Sequence, residues 1–196
     1  MSASIIVLSR QVCTGGCDVG KKASAALGIP YYDKELISMA ARESGLSEQA
    51  VAANEQRRTG SLLYSLYSMT AELPLGDQVF LAQSQVIRKL AQEGPCVIVG
   101  RCADYVLRDH PGLLRVMVHA PMEFRRQYAR DILGWTGEDK EMDTRIYKQD
   151  KARASYYEYY TQNRWGDVRH CDLALNAALG EEACVQALLA AYKAAK

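Results

Sequence analysis

The first thirty residues alternate between apolar and polar stretches. Residues 5–8 (Ile-Ile-Val-Leu) are continuously apolar, which predicts a buried strand. After a polar turn that contains two glycines, residues 19–27 carry apolar side chains at helical spacing. Gly28 and Pro30 then end this predicted helix in the expected order. Tyr31–Tyr32 is a short candidate for the second strand.

Three further apolar runs, at residues 96–99, 113–118 and 172–175, predict the remaining strands. The first is continuously apolar, as is typical of a strand buried on both faces of a parallel sheet. Amphipathic segments that predict helices lie between the strands, at residues 34–43, 79–90, 101–107 and 121–132, and after the last strand, at residues 181–193. This alternation predicts an α/β fold with a parallel sheet of about five strands, whose ligand crevice lies at the strands' carboxyl ends.

Two stretches differ from this alternation. Residues 45–77 contain a helix start at Ser47, a polar break at residues 56–60 and a Leu-, Tyr- and Ser-rich segment at 61–69. We predict that this stretch is an exposed helical insertion. Residues 138–163 are highly charged, with tyrosines at 156, 157, 159 and 160, and favour one long polar helix. Its tyrosines either face the crevice or pack on the domain, and we favour packing.

Composition restricts the range of functions. A chain of 196 residues is long enough for one α/β domain, and 24 basic against 23 acidic residues leave no general attraction to nucleic acid. No apolar run is long enough to span a bilayer, and no secretory leader is evident. We therefore expect a cytoplasmic protein without nucleic-acid or membrane partners. The six cysteines lack metal-binding spacing and are expected to be reduced thiols.

The glycine turn is the strongest candidate for chemistry. Backbone N–H groups in the first turn of a helix lack intrahelical partners and lie at the positive end of the helix dipole, so they form a natural phosphate site. The candidate phosphate-binding residues are Thr14, Gly15, Gly16, Cys17, Asp18 and Lys21. The alternative is that the two glycines only make a tight turn.

The turn fits the P-loop pattern in two registers. A literal GxxxxGK match starts at Gly15 but has Lys22 where a serine or threonine belongs. Measured from the strand, the pattern instead starts at Arg10 and puts Gly16 at the lysine position. We favour the second register, because it places the glycines at the junction of strand and helix. The missing lysine must then be replaced by another cation, for which the candidates are Arg10, Lys21, Lys22 and the arginines of residues 134–166.

Several motifs occur together in a familiar order, namely residues 9–33, Gly100-Arg101 and residues 150–153. On these motifs the chain resembles the cytidylate-kinase-like family, a branch of the P-loop nucleoside monophosphate kinases, nearly end to end. The resemblance implies a single domain with a three-layer α/β/α P-loop NTPase-like fold. It also implies that an insertion at residues 45–75 binds the acceptor nucleotide and that a lid at residues 134–166 closes over ATP.

The same resemblance implies which residues form the site and that ATP and Mg²⁺ are the cofactors. Asp33 and Arg101 match acceptor-binding positions, and Asp150 and Arg153 match an aspartate and an arginine where the lid returns. Asp33, Arg101 and Arg153 are accordingly the candidate catalytic residues, and Asp150 joins them as a candidate for binding the substrate.

The chain departs from the family pattern at three positions. Gly16 replaces the loop lysine, and Asp18 replaces the hydroxyl residue that follows it. Asp18 is therefore also a candidate metal ligand. The family's lid arginine falls on Ile146, which makes the neighbouring Arg145 a candidate contact for ATP.

Three functions are compatible with these residues. The first is ATP-dependent phosphoryl transfer to a nucleoside monophosphate such as CMP or to a similar small phosphate acceptor. The alternative is a nucleotide-binding or regulatory protein that keeps the kinase fold with impaired catalysis. A third is a protein whose loop binds a non-nucleotide anion. A homodimer is compatible with the sequence.

Overall fold

A computed structural model describes residues 5–54 and 73–195 of the chain. It contains five strands, which are β1 Ile5–Arg10, β2 Tyr31–Tyr32, β3 Cys96–Val99, β4 Leu113–His119 and β5 Leu173–Asn176. They form one parallel sheet in the order β2-β3-β1-β4-β5. The predicted strands and their parallel arrangement are confirmed. Because β1 is central, its carboxyl end is flanked by the carboxyl ends of β3 and β4.

Eight α-helices occur within the described residues. They are α1 Gly16–Leu27, α2 Glu35–Ser44, α3 Glu48–Asn54, α4 Leu75–Glu93, α5 Ala103–Val106, α6 Met122–Asp131, α7 Asp139–Thr161 and α8 Glu181–Ala194. Short 3-10 turns occur at Val168–His170 and Ala177–Leu179. The polar break and the Leu-rich segment predicted at residues 56–69 lie outside the described residues.

The sheet is covered on both faces, which confirms the three-layer α/β/α fold. Successive side chains of a strand point to opposite faces, and β1 buries apolar residues on each. Ile6 and Leu8 pack in the same cluster as residues from α1 and α8. Ile5 and Val7 pack on the other side with residues from α2 and α4. The resulting rigid sheet holds the ends of β1, β2 and β3 in fixed positions.

Two predicted boundaries differ from the structure. A helix was expected from residue 101, but α5 begins at Ala103, because Arg101 and Cys102 both adopt left-handed backbone with φ of 54°. Pro121 was expected to be the first helical residue, but its ψ of 150° is extended and α6 begins after it. The exposed helix expected after Ser47 is present, although its Val51 is fully buried in a cluster with residues of α2 and α4.

A salt bridge with three hydrogen bonds connects the start of the edge strand β5 to β4. The Arg115 guanidinium donates two hydrogen bonds to Asp172, from Nε at 3.1 Å and from Nη2 at 2.7 Å. The backbone N–H of Arg115 donates a third at 2.8 Å. Burial opposes ionisation of Asp172, but these donors outweigh it and hold the pKa of Asp172 below its usual value.

Replacing Asp172 by asparagine should make the stability of the protein less sensitive to acid. A carboxyl whose pKa is lowered on folding stabilises the native state above its unfolded-state pKa, and this contribution disappears as the pH falls. Because the pair is partly exposed, we expect Asp172→Asn to lose about 1 kcal/mol or less near neutral pH. The difference from the unmutated protein should shrink below about pH 4 in urea-unfolding titrations.

The control is Asp109→Asn, since the Asp109 side chain is 89% exposed. This variant should follow the unmutated protein at every pH. An Asp172→Asn defect that persists undiminished at pH 3 would contradict the electrostatic explanation.

Candidate active site

The glycine turn lies directly between β1 and α1. Strand β1 ends at Arg10, and α1 starts at Gly16 after Gly15, whose φ of 69° is left-handed. The glycines therefore occupy the junction, as the favoured register predicts, and Lys21 lies more than one turn into the helix. Thr14 stabilises the turn, because its hydroxyl donates a 2.9 Å hydrogen bond to the Gln11 carbonyl.

Position 16 has no room for a side chain. A Cβ atom built on Gly16 would lie 2.9 Å from Arg10 Cβ and 3.2 Å from Val118 Cβ. The first distance is too short for two carbon atoms, so a lysine here would require a shift of β1 or α1. The loop therefore lacks its usual lysine at a position where the surrounding packing excludes one.

A buried ion pair between α6 and α7 anchors the glycine turn at Val12. The N–H of Val12 donates to Asp150 Oδ1 at 2.8 Å, and Arg125 Nε donates to the Val12 carbonyl at 2.8 Å. Arg125 also forms an ion pair with Asp150 through its Nη2 atom. Asp150, expected to bind substrate, thus has both carboxylate oxygens engaged within the protein.

Arg125 is a residue whose role the sequence analysis missed. Arg125 shares its helix with Arg126 and Arg130, and charged side chains in such a segment are usually solvated. Its side chain is instead only 4% exposed. The available signal was its position between Phe124 and Tyr128, which places it near the apolar face of α6.

Three arginines meet at the carboxyl ends of β1, β2 and β3. Arg101 Nη1 lies 2.5 Å and Arg10 Nη2 3.5 Å from the same oxygen, Oδ1 of Asp33. Arg153 joins them from α7, where its Nη1 donates to the Arg10 carbonyl at 2.9 Å. The fold therefore brings together the three candidate catalytic residues, Asp33, Arg101 and Arg153, and adds Arg10.

The electrostatics of this cluster favour an anion. Burial opposes the charge on Asp33, yet Arg10 and Arg101 outweigh this effect and hold the pKa of Asp33 below its usual value. Burial and then the charge of Arg10 lower the pKa of Arg153 to about 10. Both causes disfavour the charged form of Arg153, and an anionic ligand beside its guanidinium would offset them.

The backbone before α5 is strained where it presents Arg101. Gly100, Arg101 and Cys102 all have positive φ, at 72°, 54° and 54°. Left-handed backbone is unfavourable for residues other than glycine and tends to occur at functional sites. The conformation is stabilised by a 2.9 Å hydrogen bond from Arg101 Nη1 to the Val99 carbonyl.

Two cavities meet at the arginine cluster. One is a cleft of about 420 Å³ along the glycine turn, and its lining includes Thr14, Gly15, Gly16, Cys17, Asp18 and Lys21. The other is a small pocket of about 50 Å³, lined by residues that include Arg101, Tyr156, Tyr157 and Trp165. Arg10 and Arg153 line both cavities.

Tyr128 of α6 forms the outer wall of the cleft. Its hydroxyl donates to Asp18 Oδ2 at 2.8 Å, and a Cβ on Gly15 would lie 3.1 Å from its ring. Asp18 also forms a 4.0 Å ion pair with Lys21. Cys17, on the same turn, points towards Asp33, with Sγ 3.8 Å from Oδ2. Asp18, a candidate metal ligand, thus lies in the lining of the cleft with its carboxylate paired to Tyr128 and Lys21.

Two predicted cations line neither cavity. Arg145 stacks on Trp135, with its guanidinium carbon 3.5 Å from the ring centroid, while Ile146 is fully buried. Lys22 forms an ion pair with Glu181 of α8. Tyr157 contributes to the lining of the small pocket, but its side chain is buried and its hydroxyl donates to Asp104 at 2.6 Å, as the packing interpretation of these tyrosines predicts.

No helix within residues 5–54 and 73–195 combines the length and hydropathy needed to cross a membrane. In the same residues, no group of three or more His, Cys, Asp and Glu side chains is arranged to hold a metal ion.

Comparison with known protein families supports the resemblance. The sequence model of the cytidylate kinase-like family matches residues 5–178, which confirms the resemblance seen in the motifs. No curated protein gives a significant match to the chain.

Solved structures share the fold. An uncharacterized protein from Eubacterium ventriosum is 24% identical over 98% of this chain and 99% of its own, with a TM-score of 0.75. Shikimate kinase from Bacteroides thetaiotaomicron is 15% identical over 94% and 95%, with a TM-score of 0.55. A gluconokinase from Sinorhizobium meliloti is 16% identical over 97% and 91%, also at 0.55. At these identities the likeness establishes the fold.

Breaking the ion pair below the loop should destabilise the protein and loosen the turn. Removing one partner of a buried pair leaves the other charge unpaired, so we expect Asp150→Asn or Arg125→Met to cost about 3–5 kcal/mol in urea unfolding. The double variant should be less destabilised than the sum of the two single variants. Hydrogen exchange at the Val12 amide should accelerate in Asp150→Asn.

The matched control is Arg126→Met, which removes the next arginine of α6 and its 3.0 Å contact with Asp143. This more exposed pair should contribute about 1 kcal/mol or less. Strictly additive losses at Arg125 and Asp150 would show that the two residues act independently.

Proposed function

From the premise that this chain belongs to the cytidylate kinase-like family, we propose that it transfers the γ-phosphoryl group of ATP to a nucleoside monophosphate such as CMP or to a similar small phosphate acceptor. The observation that carries the proposal is the arginine cluster at the junction of two cavities. Such a reaction needs one site for the donor phosphates, another for the acceptor, and positive charge between them.

The reaction is balanced without a proton acceptor on the protein. An oxygen of the acceptor phosphate forms a bond to the γ-phosphorus, and the bond between that phosphorus and the β,γ-bridging oxygen breaks. The bonding electrons stay on the β-phosphate of ADP. Because the acceptor is already ionised, the protein's contribution is to position the two substrates and stabilise the charge.

The glycine turn fits the donor phosphates. The residues from Thr14 to Asp18 line the larger cleft, at the positive end of the α1 dipole. The Gly16 N–H donates to Thr14 Oγ1 at 3.4 Å and the Asp18 N–H to the Gly15 carbonyl at 2.9 Å, so a bound phosphate would share these donors. Tyr128 lies against Gly15 without filling the cleft, which still measures about 420 Å³. We assign the ATP phosphates to this cleft.

Asp18 fits a role in binding Mg²⁺. Protein sites commonly hold Mg²⁺ through one or two carboxylates together with substrate phosphates and water. Asp18 supplies one such carboxylate at the mouth of the cleft, and its contact with Tyr128 uses one lone pair of one oxygen. When bound, the cation would neutralise charge that builds up on the phosphates.

The smaller pocket suits the acceptor phosphate. Arg101 and Arg153 line it, and planar guanidinium groups can bind phosphate oxygens in pairs. Asp33 fixes Arg101 by their 2.5 Å contact. We assign Arg101 and Arg153 to the acceptor and to charge stabilisation, and Asp33 to orienting Arg101.

The alternative is a nucleotide-binding protein with impaired catalysis. The observations that favour it are the excluded side chain at position 16 and the hydrogen bond that Tyr128 donates to Asp18. A protein of this kind would bind ATP in the cleft without turnover.

A coupled assay of ADP release, with ATP, Mg²⁺ and a panel of acceptors, tests the proposal. The panel contains CMP, the other nucleoside monophosphates, shikimate and gluconate. We expect turnover with a monophosphate, and a loss of about 100- to 1000-fold in kcat for Arg101→Met, because a charge-stabilising donor is removed.

The control is Arg108→Met, because Arg108 lies over the Tyr105 ring outside both cavities and should be dispensable. ADP release that stays at background with every acceptor would remove the kinase proposal. ATP binding in the absence of turnover would then favour the impaired protein.

A further inference from the structure

The side chain of Arg10 fills the space beside the glycine turn that a lysine at position 16 would need. A Cβ on Gly16 would lie 2.9 Å from Arg10 Cβ and 3.4 Å from Arg10 Cγ. The stem of Arg10 therefore runs directly along the first residue of α1. Every residue except glycine carries this Cβ, and Arg10 continues from it with a stem that takes a guanidinium group past Gly16.

The other end of Arg10 reaches the strand-end cluster. Its Nη1 lies only 2.7 Å from the position of a Cβ on Gly100, so this glycine also makes room for the guanidinium. The Nη2 atom lies 3.5 Å from Asp33. Arg10 thus extends from the glycine turn, past the end of β3, to the residue that holds Arg101.

Arg10 keeps hydrogen-bonding capacity that the protein does not use. Its Nε atom is buried and has no hydrogen-bond partner within residues 5–54 and 73–195, and the same holds for Arg153 Nε. Asp33 is the carboxylate paired with both Arg10 and Arg101. Arg153 lies beside them, bonded to the Arg10 carbonyl, and guanidinium groups gathered in this way are suited to an anionic ligand.

Arg10 and Arg101 differ in the cavities that they line. Arg101 lines the small pocket, whereas Arg10 lines both the small pocket and the cleft along the glycine turn. A cation at this junction is adjacent to the donor's last phosphate and to the acceptor, which is where charge is shared during phosphoryl transfer.

We propose that Arg10 is the cation that replaces the missing loop lysine and that it binds the terminal phosphate of the donor. The inference rests on the proposed function, because it names the residue that recognises the group to be transferred. The competing explanation is that Arg10 is purely structural and serves only to pair with Asp33.

Binding measurements separate these two explanations. Isothermal titration calorimetry with ATP, ADP, tripolyphosphate and pyrophosphate compares ligands that differ by one terminal phosphate. In Arg10→Met we expect ATP affinity to fall about 10- to 100-fold, since a hydrogen-bonded charge pair is lost, while ADP affinity changes little. Tripolyphosphate and pyrophosphate should show the same contrast.

Arg101→Met is the matched control, because it also removes an arginine from Asp33 but leaves the cleft lining intact. It should retain the preference of the unmutated protein for ATP over ADP. Thermal unfolding shows whether Arg10→Met is folded. If it is not folded, Arg10→Lys replaces it in the test. We then expect Arg10→Lys to lose part of the ATP affinity while its ADP affinity is unchanged.

Each outcome has one meaning. Equal losses for ATP and ADP, or no loss for either, would overturn the role of Arg10 and leave the proposed function standing. An unmutated protein that binds the inorganic polyphosphates but neither nucleotide would overturn the proposed function, and the tripolyphosphate contrast would still test Arg10. Failure to bind all four ligands would overturn both.

Discussion

The candidate site depends on a buried carboxylate, Asp33, that is shared between two arginines. A charge removed from water is tolerated only when it is closely paired, and Arg10 and Arg101 supply that pairing from the ends of β1 and β3. Asp33 itself follows β2, so one carboxylate links three strand ends. The same contacts that make its burial tolerable bring the guanidinium groups together.

Hydrophobic pattern was sufficient to predict the layers of the fold. Strands β1, β3 and β4 are short apolar runs bounded by turn residues, and α1 has one apolar face closed by Gly28, so each could be identified locally. The start of α5 could not be predicted in this way. Helical spacing extends through Arg101 and Cys102, but their left-handed backbone is determined by the strand-end environment.

Only those site residues that belong to a recognisable sequence motif could be predicted. Gly15 was a candidate from its place between a predicted strand and helix, whereas Asp33 and Arg101 were candidates through the resemblance to the cytidylate-kinase-like family. All three lie near strand ends, where parallel sheets bind ligands. Arg125 and Tyr128 contact Val12 and Asp18 across more than a hundred residues of chain. Contacts at such separation leave no periodic trace in a single sequence, and the charge of Arg125 suggested solvent exposure.

The close approach of Gly16 to Arg10 and Val118 ties position 16 to the backbone of two neighbouring strands. A lineage with this geometry cannot regain the conventional phosphate-loop lysine by one codon change, because the closest atom is Arg10 Cβ, which every residue except glycine carries, so β1 or α1 must shift as well. A lysine introduced before that shift has a steric conflict. Such a barrier would keep the unusual loop in descendants of this chain, even where a standard loop would serve equally well.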